Sequence, residues 1–416
     1  MMVGNCILKG SIMTREVMFQ MFIQEVFELH AHTPTLLDLE DLAGREDAHL
    51  ELHGTKPMRF SIYVAPERLE EVSALFIEQG CKRLHSTELK VEAAPKDGVV
   101  PDDFHSTSNK PTFIFRSGQW IPVNRLRMDG VITFDEKDTP YCNLMRDVKA
   151  GEDVVVGHGG IRIAFLDLPT KNEEEFGFMQ GEVSSERQNP VLIRKIAKDM
   201  KAIRDRGGRI VFVAGPGVIH TGGMTPFCGL IEKGYVQAVL SGNALATHDI
   251  ENALYSTSLG INTQTADIVS GGHRHHLQAI NRMRYHGSIA NAVHAGELQT
   301  GIMYTLVKHG IPFSLAGSIR DDGPLPDTEM DLCAAQARYS ELVQGTDMVV
   351  IISTMLHAIG TANMIPATCK TICVDINPAV VSKLADRGST QTIGIVTDAG
   401  LFVEQLNREL DLYEAR

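Results

Sequence analysis

The 416-residue chain is poor in the features that mark three large classes of protein. It has no uninterrupted apolar run of the roughly 18 residues that a membrane-spanning helix needs. Its mildly apolar start is broken by Lys9, Arg15 and Glu16 and reads as a short extension running into a first strand. Positive charge is in deficit: the formal net charge of −13 argues against a nucleic-acid partner or an anionic membrane surface, both of which need a dense basic patch to displace counterions. A disulfide framework is lacking too. The seven cysteines are odd in number, scattered and mostly set in apolar runs, which fits reduced thiols in a cytoplasmic protein. Cys369 and Cys373, four apart across the run ThrIleCysVal, fall on one face of a strand and read as buried packing. There is no internal repeat and no low-complexity tract. What remains is an ordinary globular composition, 43% hydrophobic and 22% charged, with length for two or three domains and a small molecule as the expected ligand.

Patterning divides the chain into three parts. Residues 1–103 form a small α+β domain: short apolar runs alternate with the helical stretch from Pro66 to Gly80, whose Leu69, Val72, Leu75 and Phe76 share one stripe. The Pro/Asp/Gly-rich stretch AAPKDGVVPDD is a linker. Residues 104–188 are a β-rich module, with a Ser-Gly hairpin signal inside PTFIFRSGQWIPV. From 189 to 416 five short Val/Ile-rich strands (RIVFVAG, VQAVLSG, IPFSLAG, DMVVIIST, KTICVDI) alternate with helices. That rhythm predicts an α/β fold with a Rossmann-like parallel sheet covered on both faces.

In such sheets ligands bind beyond the carboxyl ends of the strands. The five strand ends here carry AGPGVIHTGGM, SGNALATHD, AGSIRDDGPLPD, STMLHAIG and DINP. Turn residues are expected at strand ends in any case, but the recurrence of a small residue followed by Asn, His, Arg or Asp points to one shared crevice. GPGVIHTGG (215–223) is not the GxGxxG fingerprint and fits a tight turn equally well; its glycines would let backbone approach a phosphate, and Thr225-Pro226 reads as a helix N-cap followed by Pro. Asp375 at a strand end suits ribose hydroxyls and favours NAD over NADP, while Asn377-Pro378 behind it is an N-cap. His273, His275 and His276 lack the interleaved carboxylates or cysteines of a metal site and read as a polar helix start, so no metal is expected. His158, His220, His248 and His357 flank glycine-rich loops, where a structural hydrogen bond and a catalytic role both fit. Asp249 and Glu251 sit on the loop-to-helix turn of a helix that Thr247 begins, where both would complement its dipole.

Several long motifs are recognisable: EVSSE (182–186), GPGVIHTGG (215–223), SGNALATHDIENALYSTSLG (241–260), GGHRHHLQAIN (271–281), GIMYTLVKHGIPFSLAGSIRDDGPLPD (301–327), TMLHAIGTANMIP (354–366) and CVDINPAVVSKLADRGSTQTIGIVTD (373–398). Together they closely resemble the archaeal-type ornithine cyclodeaminase family, which also supplies the C-terminal part of bifunctional arginine dihydrolase/ornithine cyclodeaminases. The N-terminal domain and FHSTSNKPT (104–112) resemble the conserved domain of lysine-oxoglutarate reductase/saccharopine dehydrogenase proteins (LOR/SDH), departing from it at Ala31-His32, where a Gly-His pair is general. The resemblance implies a C-terminal fold similar to deoxyhypusine synthase. It also implies NAD-dependent conversion of L-ornithine to L-proline and ammonia, by transient hydride transfer to NAD, cyclisation and re-reduction. Strand-end placement and family likeness nominate Asp249, His248 and Glu182 for proton transfer and Arg320 for the substrate carboxylate. They nominate Gly215, Asn243, Ala244, Ser318, Asp321, Met355, Leu356, His357 and Asp375 for cofactor contacts. A homo-oligomer, dimer or tetramer, is expected. Two other readings stay open, an NAD-dependent dehydrogenase of the saccharopine/lysine type and a non-catalytic NAD or amino-acid sensor.

Overall fold

The computed structural model describes residues 21–29, 34–55, 57–165, 189–263, 265, 267–269, 272–321, 323–385 and 392–414. No described helix is long and apolar enough to cross a membrane. The described residues divide into two compact units: one takes in those up to 165 together with 363–368, the other 189–362 and 369–414.

The first unit runs β1 (Phe22–Leu29), α1 (Leu36–Arg45), β2 (His49–Thr55), β3 (Met58–Val64), α2 (Leu69–Glu78), β4 (Lys82–Arg83), β5 (Lys90–Ala93), β6 (Thr112–Arg116), β7 (Gln119–Pro122), β8 (Val131–Phe134), β9 (Pro140–Asn143), β10 (Asp153–Val156) and β11 (Ile161–Phe165). Its main sheet is antiparallel in the order β2-β3-β1-β11-β6-β7, with β4 added beside β1. Because β11 pairs with β1 at Phe22–Phe165, strands from either side of residue 103 share this one sheet. The stripe on α2 does what its spacing predicts: Leu69, Val72 and Phe76 are fully buried, and the Phe76 ring lies 5.5 Å from Phe27 and 5.7 Å from Phe60. Ser117 and Gly118, both at positive φ, close the β6–β7 hairpin.

The second unit runs α3 (Asn189–Asp205), β12 (Ile210–Ala214), α4 (Gly217–His220), α5 (Met224–Glu232), β13 (Ala238–Gly242), α6 (Asn243–Tyr255), β14 (Thr257–Ser258), β15 (Ile261–Asn262), α7 (His275–His286), α8 (Ile289–His294), α9 (Ile302–Lys308), β16 (Phe313–Ala316), β17 (Thr328–Glu329), α10 (Leu332–Leu342), β18 (Met348–Ile352), α11 (Leu356–Ala362), β19 (Lys370–Asp375), α12 (Pro378–Ala385), β20 (Thr392–Val396) and α13 (Ala399–Glu414). The sheet order is β17-β16-β13-β12-β18-β19-β20, and every pairing is parallel. Its central strands are apolar on both faces, Ile210 to Ala214 being fully buried, as a sheet sandwiched between helices requires. The five expected strands are present, and β17 and β20 extend the sheet at its two edges. The chain walks outward from β12 through β13 and β16, then returns to lay β18 on the other side of β12. The order therefore reverses between β12 and β18, and that is where an open α/β sheet parts its loops to form a ligand crevice.

Two local expectations are corrected. The helix after β13 begins at Asn243 directly from the strand, with Gly242 extended at φ −96°, ψ 174° as its cap, so Thr247 and Asp249 lie inside the helix and not at its start. The helix after GPGVIHTGG begins at Met224 after Gly223, which puts Thr225 and Pro226 within its first turn.

Candidate active site

At the reversal point the loops after β12 and β18 touch. The Gly215 N–H donates to Ile352 O at 2.9 Å, and a Cβ built on Gly215 would lie 1.9 Å from the Ser353 carbonyl oxygen; one on Gly217 would lie 2.1 Å from Ser353 Oγ. Ser353 itself takes the left-handed conformation at φ 52°. Only glycine lets these backbones approach so closely. Just beyond, Met355 and Leu356 are exposed, and Ala244 is exposed at the start of α6.

The loop after β16 is tied to α6 by a network that uses both polar atoms of the Asn243 side chain. Asn243 Nδ2 donates to Asp321 Oδ1 at 3.1 Å, and Asn243 Oδ1 accepts from Leu325 N–H at 3.0 Å and Thr328 Oγ at 3.1 Å. Asp321 Oδ2 accepts the Ser318 N–H at 2.7 Å and the Ser318 hydroxyl at 3.2 Å. Asn243 and Asp321 thus frame the crevice by holding the loop on the helix. Arg320 at the tip of that loop is exposed, and among the described residues its guanidinium has no ion pair.

His357 is held over the end of β13. Tyr339 donates its hydroxyl to Ser241 O at 2.5 Å, so the Tyr339 oxygen accepts from His357 Nδ1 at 3.2 Å and fixes Nδ1 as the protonated nitrogen. A Cβ on Gly242 would lie 2.6 Å from His357 Nε2, so the ring sits where any other residue at 242 would be. Burial pushes the His357 pKa down, the nearby Asp321 charge opposing it. Asp375 ends β19 half-buried; its Oδ1 accepts the Asn377 N–H at 2.8 Å, and among the described residues its other oxygen has no partner. Asn377 in turn caps α12 through the Ala379 N–H at 3.0 Å, as expected.

The helix that leaves β13 brings the remaining candidates together. His248 Nδ1 lies 2.8 Å from Glu251 Oε2, one helical turn on, and the His248 ring packs edge-on against His220, centroids 4.8 Å apart, with His276 at 6.3 Å. Glu251 is fully buried. It also accepts from Thr257 Oγ at 3.0 Å, Gly260 N–H at 3.1 Å and Leu259 N–H at 3.3 Å. Burial would raise its pKa, but the His248 hydrogen bond and the Gly260 and Thr257 donors more than offset this, and it is lowered. Among the described residues no cluster of His, Cys, Asp and Glu could hold a metal ion.

Asp249 departs from the expected geometry. It is fully buried, and its two oxygens accept the Ile302 N–H at 2.8 Å and the Met303 N–H at 2.7 Å, the first turn of α9. Burial pushes its carboxyl up to about 7 against the pull of those two amides. Both oxygens are engaged by these amides, and the side chain ties α9 to α6. Glu182 and Ala31-His32 lie outside the described residues. Sequence reading missed the importance of Glu251, whose donors at 257–260 sit in a turn that no helical period reveals. It also missed Tyr339, whose link to His357 spans 18 residues and a change of element.

Comparison with known proteins places these features in a family. A family profile described as "Arginine dihydrolase ArgZ-like, C-terminal, Rossmann fold" matches residues 194–406, and its companion, "C-terminal, first region", matches 111–193. The ornithine cyclodeaminase of Methanococcus maripaludis is 42% identical over 418 residues, covering 95% of this chain and 99% of the relative. The bifunctional arginine dihydrolase/ornithine cyclodeaminase AgrE of Nostoc is 49% identical over 354 residues, covering 83% of this chain and 50% of the relative. The chain therefore spans about half the length of the bifunctional relatives it matches. Among solved structures, a conserved LOR/SDH protein of Methanococcus maripaludis matches with a TM-score of 0.72 at 46% identity, covering 79% of this chain and 98% of that one. A ternary complex of AgrE with ornithine and NAD+ matches with a TM-score of 0.54 at 41% identity, covering 94% and 58%. By sequence, by Rossmann-type sheet and by coverage, the chain belongs to the ornithine cyclodeaminase family, whose members also form the C-terminal part of the bifunctional arginine dihydrolase/ornithine cyclodeaminases.

Proposed function

We propose that the protein is an NAD-dependent ornithine cyclodeaminase, converting L-ornithine to L-proline and ammonia. The observation that carries the reading is the grouping at the sheet's order reversal, where glycines 215 and 217 pack on Ser353 after one strand and the His248–Glu251 pair stands on the helix leaving the next. The naming of relatives as ornithine cyclodeaminases and the ornithine and NAD+ in the AgrE complex support it. Asp375 fits a dinucleotide: it ends a strand half-buried, and among the described residues one of its oxygens has no partner, which suits a ribose hydroxyl.

Bound NAD would supply a reversible hydride acceptor at the substrate α-carbon, which is how a reaction without net oxidation can use a redox cofactor. The protein's part is orientation and proton movement. Arg320 meets the substrate carboxylate. His248 takes the proton that must leave the δ-ammonium before that nitrogen can attack, and returns one to the departing α-nitrogen, so that one ammonia leaves for each ring closed. Met355 and Leu356, exposed after β18, would contact the bound cofactor and shield it from water. Asp249 keeps α9 seated on α6 and thereby holds His248 in place. We also expect a homo-oligomer, which light scattering at micromolar concentration would check.

Incubation of the purified protein with NAD+ and L-ornithine tests the reading. Proline and ammonia in equal amounts without net NADH is the expected result. Stoichiometric NADH would instead make it a dehydrogenase of the saccharopine/lysine type, and cofactor binding with neither product would make it a sensor.

A further inference from the structure

The donors around Glu251 do more than bury a carboxylate. Backbone amides, which can only donate, sit on both of its oxygens, Leu259 N–H on Oε2 and Gly260 N–H on Oε1, so the carboxylate acts as an acceptor, in keeping with its lowered pKa. Every group that faces it must then present a hydrogen, so His248 carries its proton on Nδ1, 2.8 Å away, and Thr257 points its single hydroxyl hydrogen at Glu251 Oε1, 3.0 Å away. With that hydrogen spent, the Thr257 oxygen can only accept from His275 Nδ1 at 2.8 Å. One buried anion therefore sets the tautomers of two histidines on two helices, His248 directly and His275 through Thr257. In the neutral form of each ring the hydrogen is thereby on Nδ1 and not on Nε2. The backbone amides of Leu259 and Gly260, in the turn between β14 and β15, fill the remaining lone pairs and keep the carboxylate from rotating away.

We propose that Glu251 is a positioning residue that locks His248 in the Nδ1–H tautomer, so that Nε2 is the atom that takes and returns the substrate's proton. This rests on the cyclodeaminase reading for the identity of that proton, but not for the tautomer. A ring free to exchange tautomers would present an N–H where a base is needed for part of the time. Holding the proton on the far side of the ring from the reacting atom is what buried carboxylates do for catalytic histidines on unrelated folds.

The test uses the full chain labelled with 15N-histidine, the ring nitrogen shifts of His248 and His275 being assigned with His248→Gln and His275→Gln variants, and steady-state proline formation. The wild type should show the Nδ1–H form for both residues. Glu251→Gln turns one acceptor into an NH2 donor that opposes the Thr257, Gly260 or His248 hydrogens. It should give a mixture of His248 tautomers and lower kcat about 10–100-fold, with KM for ornithine and affinity for NADH changed less than about twofold. Glu251→Asp, which keeps the charge, should restore the Nδ1–H form and most of kcat, a recovery that a purely structural role would not distinguish by charge. Thr257→Val, a second route should Glu251→Gln fail to fold, should release His275 into both tautomers while His248 stays Nδ1–H. An Nε2–H form of His248 in the wild type overturns the proposal, as does a folded Glu251→Gln with unchanged tautomer and kcat. A wild type that makes no proline removes the proposed reaction, and the nitrogen shifts still decide on Glu251.

Discussion

Replacing Gly215 by alanine puts one methyl group into the tightest approach of the sheet's reversal point. The added Cβ would stand 1.9 Å from the Ser353 carbonyl oxygen and 2.7 Å from its carbon, where ordinary contact begins at 3.4 Å. The two loops must part by about 1.5 Å, and neither has an easy way to move. Ser353 is pinned at φ 52° with its N–H on Val374 O at 2.9 Å, and Gly215 donates to Ile352 O at 2.9 Å. Overpacking of this kind costs about 1–3 kcal/mol and a strained backbone hydrogen bond about 1 more, so roughly 2–4 kcal/mol of stability should be lost. For a unit of this size that lowers Tm by roughly 5–15 °C. If the crevice holds the dinucleotide, the same displacement should weaken NADH binding at least about tenfold, read by titration of NADH fluorescence. Gly360 in α11 is the control: a Cβ there meets nothing within 4 Å, and alanine should be neutral or stabilise by up to about 1 kcal/mol. A Gly215→Ala protein with Tm within a degree of wild type and NADH affinity within twofold would refute both the packing argument and the placement of the cofactor.

Asp375→Ala should weaken NADH binding by about 1–3 kcal/mol, roughly 5–150-fold, through loss of ribose hydrogen bonds, with Tm nearly unchanged; an unaltered affinity would leave Asp375 as the cap of the Asn377 amide alone. Arg320→Ala should raise KM for ornithine about tenfold or more while NADH affinity holds, because the side chain is exposed and among the described residues makes no ion pair; equal loss of both would move the carboxylate site elsewhere. In the first unit Glu25 is fully buried; burial raises its carboxyl pKa, but the His85 hydrogen bond, the Arg162 charge and the Arg83 hydrogen bond together hold it down to about 2. A depressed carboxyl stabilises the fold above its unfolded pKa and loses that contribution as pH falls through the folded value. Glu25→Gln should therefore cost about 3 kcal/mol at pH 7 and less than half of that at pH 3, measured by urea unfolding. A difference that does not shrink on acidification would refute the assignment.

What could be read from the sequence followed from local periodicity. Strands β12, β13, β16, β18 and β19 announce themselves as short apolar runs, the α2 stripe by its spacing, and Cys369 and Cys373 are buried as their even spacing predicts, their thiols pushed up to about 12. β17 is too short, at two residues, to leave a pattern, and β20, TIGIV, carries a glycine that weakens its strand signal. The start of α6 was misplaced because Gly242 ends a strand and caps a helix at once, leaving no loop to see. At the site the polar partners were illegible for a different reason. Asn243 meets Asp321 78 positions away and Asp249 meets Ile302 53 away, and no local rule links residues across that distance. Placement after a strand pointed to this helix but could not say which of its carboxylates faces a histidine and which faces backbone.

The clamp of Asp249 on the first two amides of α9 also bears on how this half of the molecule opens. Detaching α9 would strip a fully buried carboxylate of both its donors, so the two helices have no inexpensive way to separate one at a time. They belong to one cooperative unit, and the amide hydrogens of Ile302 and Met303 should exchange with solvent only when that whole unit unfolds. Breathing of the surrounding loops, which any entry of substrate demands, can then proceed around a segment whose register does not drift.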